Sequence, residues 1–374
     1  MISRDDIQQL IDRPDSEAGI LTVYLDMSVN KNQKRTYQVF LNQKKAEHPE
    51  LDSDRANHHQ EPLGEAFDQL ERWLGSEFDE SKKGVAFFRD LGGDWTEVHQ
   101  VSVPLENRIE IYRRPVVAPL VEILERYHHH GVVVVDREHL RLMSLFLDQT
   151  LNEREVETEP YPAPHDVKRG GFSAKDFQDR KAEETKHFFK EFADEVQAFV
   201  RRHDPDDLIL LGTHENVQKF REFLPDSAER MIAHTDRMDI EATAPEIRDR
   251  LAPIFQDRLE EEEARVIQIL RERVRQSHKA VAGVDETLKE LQEGKLEALV
   301  ITRGMSQRGG RCDSCGFFLT SEAGSCPYCG GTVTNSVDLG ETMVRLAADQ
   351  GIEVDFVPAS AMGELGGVGG LLRF

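Results

Sequence analysis

All four cysteines of the chain lie between residues 312 and 329, as Cys312-Asp-Ser-Cys315-Gly and Cys326-Pro-Tyr-Cys329-Gly. Two CxxC turns ten residues apart supply soft thiolate ligands in pairs, and a tetrahedral ion such as Zn2+ takes four of them. The glycine after each pair lets backbone N–H groups turn toward the sulfurs. Cysteines gathered in one short segment argue for a metal site rather than disulfides. Four thiolates leave no open coordination position, so the metal is expected to be structural, holding together a ribbon too small to fold by burial alone. The alternative is four free thiols, or a redox pair, in a loop. Any fold assigned to this chain must accommodate the ribbon, expected at about residues 308–334.

The 374 residues suffice for two or three domains with real cores. Apolar patterning predicts a strand at 20–27 that alternates apolar and polar residues, and helices at 36–47 and 62–74. Paired strands follow at 84–88 and 96–103, then a helix at 117–127. Further on, the pattern gives a hairpin from 131–136 and 141–148 and a proline-bearing linker at 158–164. A long helix follows from Ser173 to about His203, then strand, helix and strand at 208–213, 215–223 and 231–235. From Thr243 to about Ala280 the pattern is helical, with Pro253 expected to begin a new helix. The last part reads as helix 284–291, strand 296–302, helix 339–350, strand 352–357 and a glycine-rich edge at 366–374. The fold class is therefore mixed α/β, with a central sheet covered by helices. Boundaries are expected at 1–127, 128–275 and 276–374. The N-terminus, MISRDDIQQL, is charged, and the longest apolar stretch, near Gly131–Val135, is too short to cross a membrane. A soluble cytoplasmic protein is expected.

Residues 165–190 read HDVKRGGFSAKDFQDRKAEETKHFFK. Adjacent Gly170 and Gly171 hold no regular element well and mark a loop tip. Ser173 is a good helix N-cap, and Phe177, Phe188, Phe189, Phe192, Val196 and Phe199 recur at roughly helical spacing. A basic glycine tip on a rigid helix resembles the central domain of archaeal and eukaryotic peptide chain release factors. Their signature runs Gly-Gly-Gln, Ser-Ala and a basic helix. Arg169, Gly170, Gly171, Ser173, Ala174, Phe177 and Arg180 fit it, while Phe172 stands where the family carries Gln. Pelota-type rescue proteins, and bacterial relatives such as the hibernation factor Balon, share this architecture without the full motif. The resemblance is strong in the middle and at the C-terminus and weaker before about residue 80. It implies three domains: an N-terminal α/β domain, a central sheet domain with the projecting loop, and a C-terminal L7Ae-like domain with the ribbon inserted.

The formal net charge of −23 is unusual for a chain that grips RNA, since phosphate neutralisation dominates such affinity. Three local islands run against it. Residues 28–46 hold no acid but carry Lys31, Lys34, Arg35, Lys44 and Lys45. Residues 298–312 hold no acid but carry Arg303, Arg308 and Arg311. The glycine loop is flanked by Lys168, Arg169, Lys175, Arg180 and Lys181. These are the candidate RNA contacts, set against the reading of each island as a solvated face.

The resemblance implies a ribosome-associated factor acting at the A site in rescue or hibernation, without codon-directed termination. Its partners would be ribosomal RNA, tRNA and a translational GTPase, with no membrane and no DNA. The alternative is a peptidyl-tRNA hydrolase using the backbone donors of Gly170, Gly171 and Phe172, since such donors stabilise acyl-transfer transition states. An ordinary exposed glycine turn is the third reading. His128–His130 suggest metal binding only weakly, and Asp136, His139 and Asp148 have spacings that imply no acid/base pair. No GxSxG, Walker loop or HExxH motif is present.

Overall fold

The computed structural model describes residues 2–29, 35–48, 61–146, 149–157, 174–320 and 324–374. They form two compact units, one of Met1–Arg126 with Asp257–Phe374 and one of Tyr127–Gln256.

The N-terminal part of the first unit begins with α1 (Arg4–Ile11). Its Ser3 hydroxyl accepts from the Asp6 N–H at 3.2 Å, and the Asp6 carboxylate accepts from the Ser3 N–H at 2.7 Å. That reciprocal cap satisfies two otherwise orphaned donors. The chain continues through β1 (Ile20–Asp26), α2 (Tyr37–Glu47), α3 (Glu61–Ser76), β2 (Gly84–Asp90), β3 (Thr96–Val101), β4 (Arg108–Tyr112) and α4 (Ala118–Arg126). The strands make an antiparallel sheet in the order β3-β2-β1-β4. Leu21, Val23 and Leu25 of β1 pack with Phe67 and Leu70 of α3 and Leu41 of α2.

Although β1 alternates apolar and polar residues, Thr22 and Tyr24 are buried as well. Their polar atoms are satisfied by a single residue. Tyr24 Oη donates to the Val116 carbonyl at 2.5 Å, and the Val116 N–H donates to Thr22 Oγ1 at 3.2 Å. Both α1 and β4 went unanticipated. The first is mostly polar with only Ile7, Leu10 and Ile11 buried, and the second is five residues bearing two charges.

The second unit holds β5 (His130–Val135), β6 (His139–Phe146), β7 (Gln149–Glu157), α5 (Ala174–His203), β8 (Asp207–Gly212), α6 (His214–Arg221), α7 (Asp226–Arg230), β9 (Ile232–Asp236) and the start of α8 (Ala244–Arg275). The sheet order is β7-β6-β5-β8-β9, antiparallel up to β5 and parallel beyond it. Strand period decides which layer each residue joins. Val133, Val135, Leu208 and Leu210 meet Phe188, Phe189, Phe192, Val196 and Phe199 of α5. Val132, Val134, Ile209 and Leu211 meet Ile247 and Leu251 of α8. Both faces of the sheet are thus covered, as the run Gly131–Val135 requires. Pro253 does not begin a helix but lies inside α8. Ile247 and Leu251 before it, and Ile254 and Phe255 after it, pack into one cluster, which holds the helix on both sides of the missing N–H.

The chain then returns to the first unit with β10 (Ala280–Ala282), α9 (Val284–Gln292), β11 (Leu296–Thr302), β12 (Arg308–Cys312), β13 (Phe318–Leu319), β14 (Val333–Asp338), α10 (Leu339–Asp349), β15 (Glu353–Val357), α11 (Ala359–Met362) and β16 (Val368–Leu372). Two sheets result, β10-β16-β11-β15 and the small β13-β12-β14 ribbon. The glycine-rich end is an inner strand, paired on both sides, and not an edge. A Cβ at Gly369 would sit 2.8 Å from Leu270 Cδ2, and one at Gly370 2.4 Å from Leu296 Cδ2. Glycine here admits close packing against the strand's faces.

A buried charged pair on α10 joins the two chain segments of this unit. Both oxygens of Glu341 accept N–H bonds at the start of α4, from Val117 and Ala118, each at 2.8 Å. Arg345 pairs with Glu341 at 3.4 Å and donates to the carbonyls of Ile11 and Pro115. Burial raises the Glu341 pKa against the pull of Arg345, and burial lowers that of Arg345. Removing one partner leaves the other charge buried and alone. Glu341→Ala is therefore expected to cost about 3 kcal/mol, measured by denaturant unfolding.

Asp355 on β15 gives a pH signature. Burial, together with the Glu353, Glu125 and Glu262 carboxylates, pushes its pKa from 3.8 up to about 7. Between those values the native state binds more protons than the unfolded one, so this group's contribution to stability falls as pH rises and levels off above about 7. Asp355→Asn should raise the melting temperature at pH 8 by at least about 3 °C and change it little at pH 4, read by thermal scans at both values.

Candidate metal centre and nucleic-acid interface

Each half of the ribbon is one short turn. Gly316 N–H donates to the Cys312 carbonyl and Gly330 N–H to the Cys326 carbonyl, both at 2.9 Å. Gly316 and Gly330 sit at φ +76° and +73°, where a side chain would be strained. The glycine after each CxxC pair is thus what lets the turn close. The turns bring the four sulfurs within 4.8 Å of one another. Cys312 Sγ lies 3.4 Å from Cys329 Sγ, and Cys315 Sγ lies 3.8 Å from Cys326 Sγ. A tetrahedral ion with metal–sulfur bonds of about 2.3 Å needs sulfurs about 3.8 Å apart. The donor set therefore fits a metal ion, with the four sulfurs drawing in from a spread of at most 4.8 Å.

Backbone donors are already aimed at the sulfurs. The N–H groups of Cys315 and Ser314 bring the Cys312 thiol down to about 6. At Cys329 the Gly331 N–H pulls the other way, but shared protons with Cys312, Cys315 and Cys326 hold the thiol up at about 12. Such an array shares protons when no cation is bound and exchanges them for a metal when one is. The ribbon's own apolar core is Cys312, Leu319, Cys326 and Val333, with Phe317 against it. So little burial cannot offset the ordering entropy of a ribbon this size. Protein purified without chelator should carry about one divalent ion per chain by elemental analysis. Cys326→Ser, at a buried position, should lose the ion and make the 312–329 segment protease-sensitive.

The basic islands are partly engaged with carboxylates. Arg35 pairs with Glu80 at 2.6 Å and lies over the Phe78 ring at 4.8 Å, while Lys45 pairs with Glu71 at 3.0 Å and Lys44 with Glu47 at 2.7 Å. Arg303 is held by Glu263 and, at 3.3 Å, by Glu122. Arg311 reaches Asp15 at 3.1 Å. Arg308 is exposed and makes no ion pair among the described residues. Lys31, Lys34, Lys168, Arg169, Gly170, Gly171 and Phe172 lie outside the described residues. Lys175, Arg180 and Lys181 lie on the first two turns of α5, whose buried face runs from Phe188 to Phe199.

Two smaller expectations also resolve. Among the described residues the cysteines alone form a metal-competent group. His129 Nε2 is 2.5 Å from Ser144 Oγ, and burial lowers its pKa. His130 is 2.6 Å from Asp207 and stacks on Phe255 with centroids 3.9 Å apart. Asp136 and His139 touch, at 3.2 Å, and Asp148 lies outside the described residues. Asp136 also accepts the N–H groups of Glu138 and His139, which makes this a turn closure. Sequence reasoning missed Glu341 and Arg345. Their i,i+4 spacing was visible, but it is the same as that of any surface pair.

Residues 115–256 match the family described as bacterial archaeo-eukaryotic release factor family 10. The match opens just ahead of α4 and closes at the last residue of the second unit. No curated protein matches the chain significantly. Among solved structures, an archaeal translation termination factor aligns with 100% of this chain and 99% of its own at 14% identity, TM-score 0.26. Dom34 from S. cerevisiae, described as a translation termination-like factor interacting with Hbs1, aligns over 75% and 73% at 12% identity, TM-score 0.42. Ribosome-bound archaeal Pelota, described together with ABCE1, aligns over 100% and 94% at 13% identity, TM-score 0.39.

Proposed function

We propose that this chain, with a central segment that matches a release-factor family, is a ribosome-associated translation factor of the release-factor/Pelota type. The observation that carries the reading is that match over residues 115–256. It spans the glycine loop and α5, the parts from which a finger entering an RNA-walled cavity would be built. No helix among the described residues is long and apolar enough to cross a membrane, in keeping with a cytoplasmic factor.

In this reading the chain works as three domains, 1–127, 128–275 and 276–374. Lys168, Arg169, Lys175, Arg180 and Lys181 offset phosphate charge along the loop. Lys31, Lys34, Arg35, Lys44 and Lys45 contact RNA from the first domain, and Arg303, Arg308 and Arg311 from the last. Phe172 supplies a ring that stacks on a base where release factors carry an amide. The protein therefore occupies the A site in rescue or hibernation without directing hydrolysis. A translational GTPase is the expected delivery partner. The metal of the ribbon is Zn2+, the ion best matched to four thiolates in a closed structural site.

Sucrose-gradient co-sedimentation with ribosomes tests this directly. The protein should travel with ribosomes at low salt and dissociate as salt rises, and a peptidyl-tRNA assay should show no release. Absence of sedimentation at every salt concentration would sink the proposal. Release that vanishes in Gly171→Ala would transfer it to a peptidyl-tRNA hydrolase acting through the loop backbone.

A further inference from the structure

Where the Arg13–Asp15 loop, the Tyr112–Pro115 segment and the base of the ribbon meet, the first unit encloses a cleft of about 420 Å³. That volume suits a small-molecule ligand. Three guanidiniums converge there on one carboxylate. Asp15 contacts Arg114 at 2.5 Å, Arg311 at 3.1 Å and Arg113 at 3.9 Å. Three positive charges against one negative leave two in excess.

Asp12, Asp313, Asp338, Glu341 and Asp349 also line the cleft, with Arg13 and Arg345, but among the described residues only Asp15 pairs with Arg113, Arg114 or Arg311. Glu341 is taken up by Arg345 and the N–H groups of α4. Asp338 caps α10 and accepts from Ser306, Asp313 accepts from Thr334, and Asp12 from Gln8. Asp349 is exposed. The arginine side also keeps an unmet donor, because the Arg311 Nε is buried and makes no hydrogen bond. Tyr112 and Phe318 supply apolar wall beside these donors, and the Arg311 guanidinium lies 5.8 Å from the Phe318 ring centroid. Forked guanidiniums beside aromatic surface are the chemistry that takes a phosphate and an attached base.

We propose that this cleft binds a phosphate group, carried by a free nucleotide or by an RNA strand, through Arg113, Arg114 and Arg311. In the unliganded protein Asp15 stands in for the phosphate, holding the guanidiniums in place. This site goes beyond ribosome association and is tested without ribosomes.

Full-length protein is titrated with adenosine monophosphate in one arm and with a short single-stranded RNA in the other, by calorimetry, and AMP is then tested as a competitor of the RNA. The variants are Arg113→Ala and Asp15→Asn. Arg113 is more than half exposed and makes the longest of the three contacts, so its truncation should leave the melting temperature unchanged. It is expected to weaken binding about tenfold. Asp15→Asn removes the competing carboxylate and is expected to tighten binding, whereas a purely structural clamp would show lost stability and no gain. If Asp15→Asn fails to fold, the Arg113→Ala comparison decides alone. AMP binding assigns the site to nucleotides, and RNA binding displaced by AMP together with weaker AMP binding assigns it to a strand. No saturable binding in either arm, or affinities that Arg113→Ala leaves unchanged, overturns the proposal.

Discussion

The Glu341 side chain is only 11% exposed, and both of its oxygens are used by the first turn of α4. A carboxylate in such a place is tolerated only when its charge is answered. Here the answer comes from two sides: the N-terminal dipole of α4 and the Arg345 guanidinium one turn further along α10. Arg345 in turn takes the last carbonyl of α1 and the Pro115 carbonyl. One pair thereby ties α1, α4 and the strand exit at Pro115 to α10. Val116, next in line, satisfies the two buried polar groups of β1. These directional bonds link the N-terminal and C-terminal segments of one unit across more than two hundred residues of chain.

Charge use follows a consistent rule. The chain is strongly acidic, so nearly any cation has a carboxylate within reach. Arg35, Lys44, Lys45, Arg303 and Arg311 each have one. Those pairs do not disqualify the residues from binding phosphate. A partly exposed ion pair stabilises by about 0–1 kcal/mol, so exchanging the carboxylate for a phosphate costs little. The acidic background also suppresses non-specific adhesion to nucleic acid, leaving affinity to depend on how many cations converge at one place.

Much of the fold was legible because its signals are local. The valines of β5 announce a strand covered on both faces, and the phenylalanine spacing of α5 announces the helix covering one of them. The CxxC-Gly turns announced their own geometry, since four sulfurs and two positive-φ glycines follow from residue type and spacing. Misreadings occurred where a local rule was outvoted by packing. Pro253 interrupts one hydrogen bond of a helix anchored by Leu251 and Phe255 on either side. Gly366–Gly370 looks like a loose end, yet β16 lies inside a sheet because only glycine lets Leu270 and Leu296 come so close. Polar Thr22 and Tyr24 can be buried on β1 because Val116, ninety-odd residues away in the chain, satisfies both.

What the sequence determined by itself was most of the longer elements, the clustering of the four cysteines and the resemblance of the middle segment to release factors, because each is written in short-range spacing. What only the tertiary structure decided was the partnership of charges: which arginines are bound, which carboxylate is buried, and that Arg113, Arg114 and Arg311 face a single aspartate across a cleft. Pairing of that kind depends on distances between residues far apart in the chain. Spacing along the chain carries no information about those distances until the hydrophobic layers have fixed where each element lies.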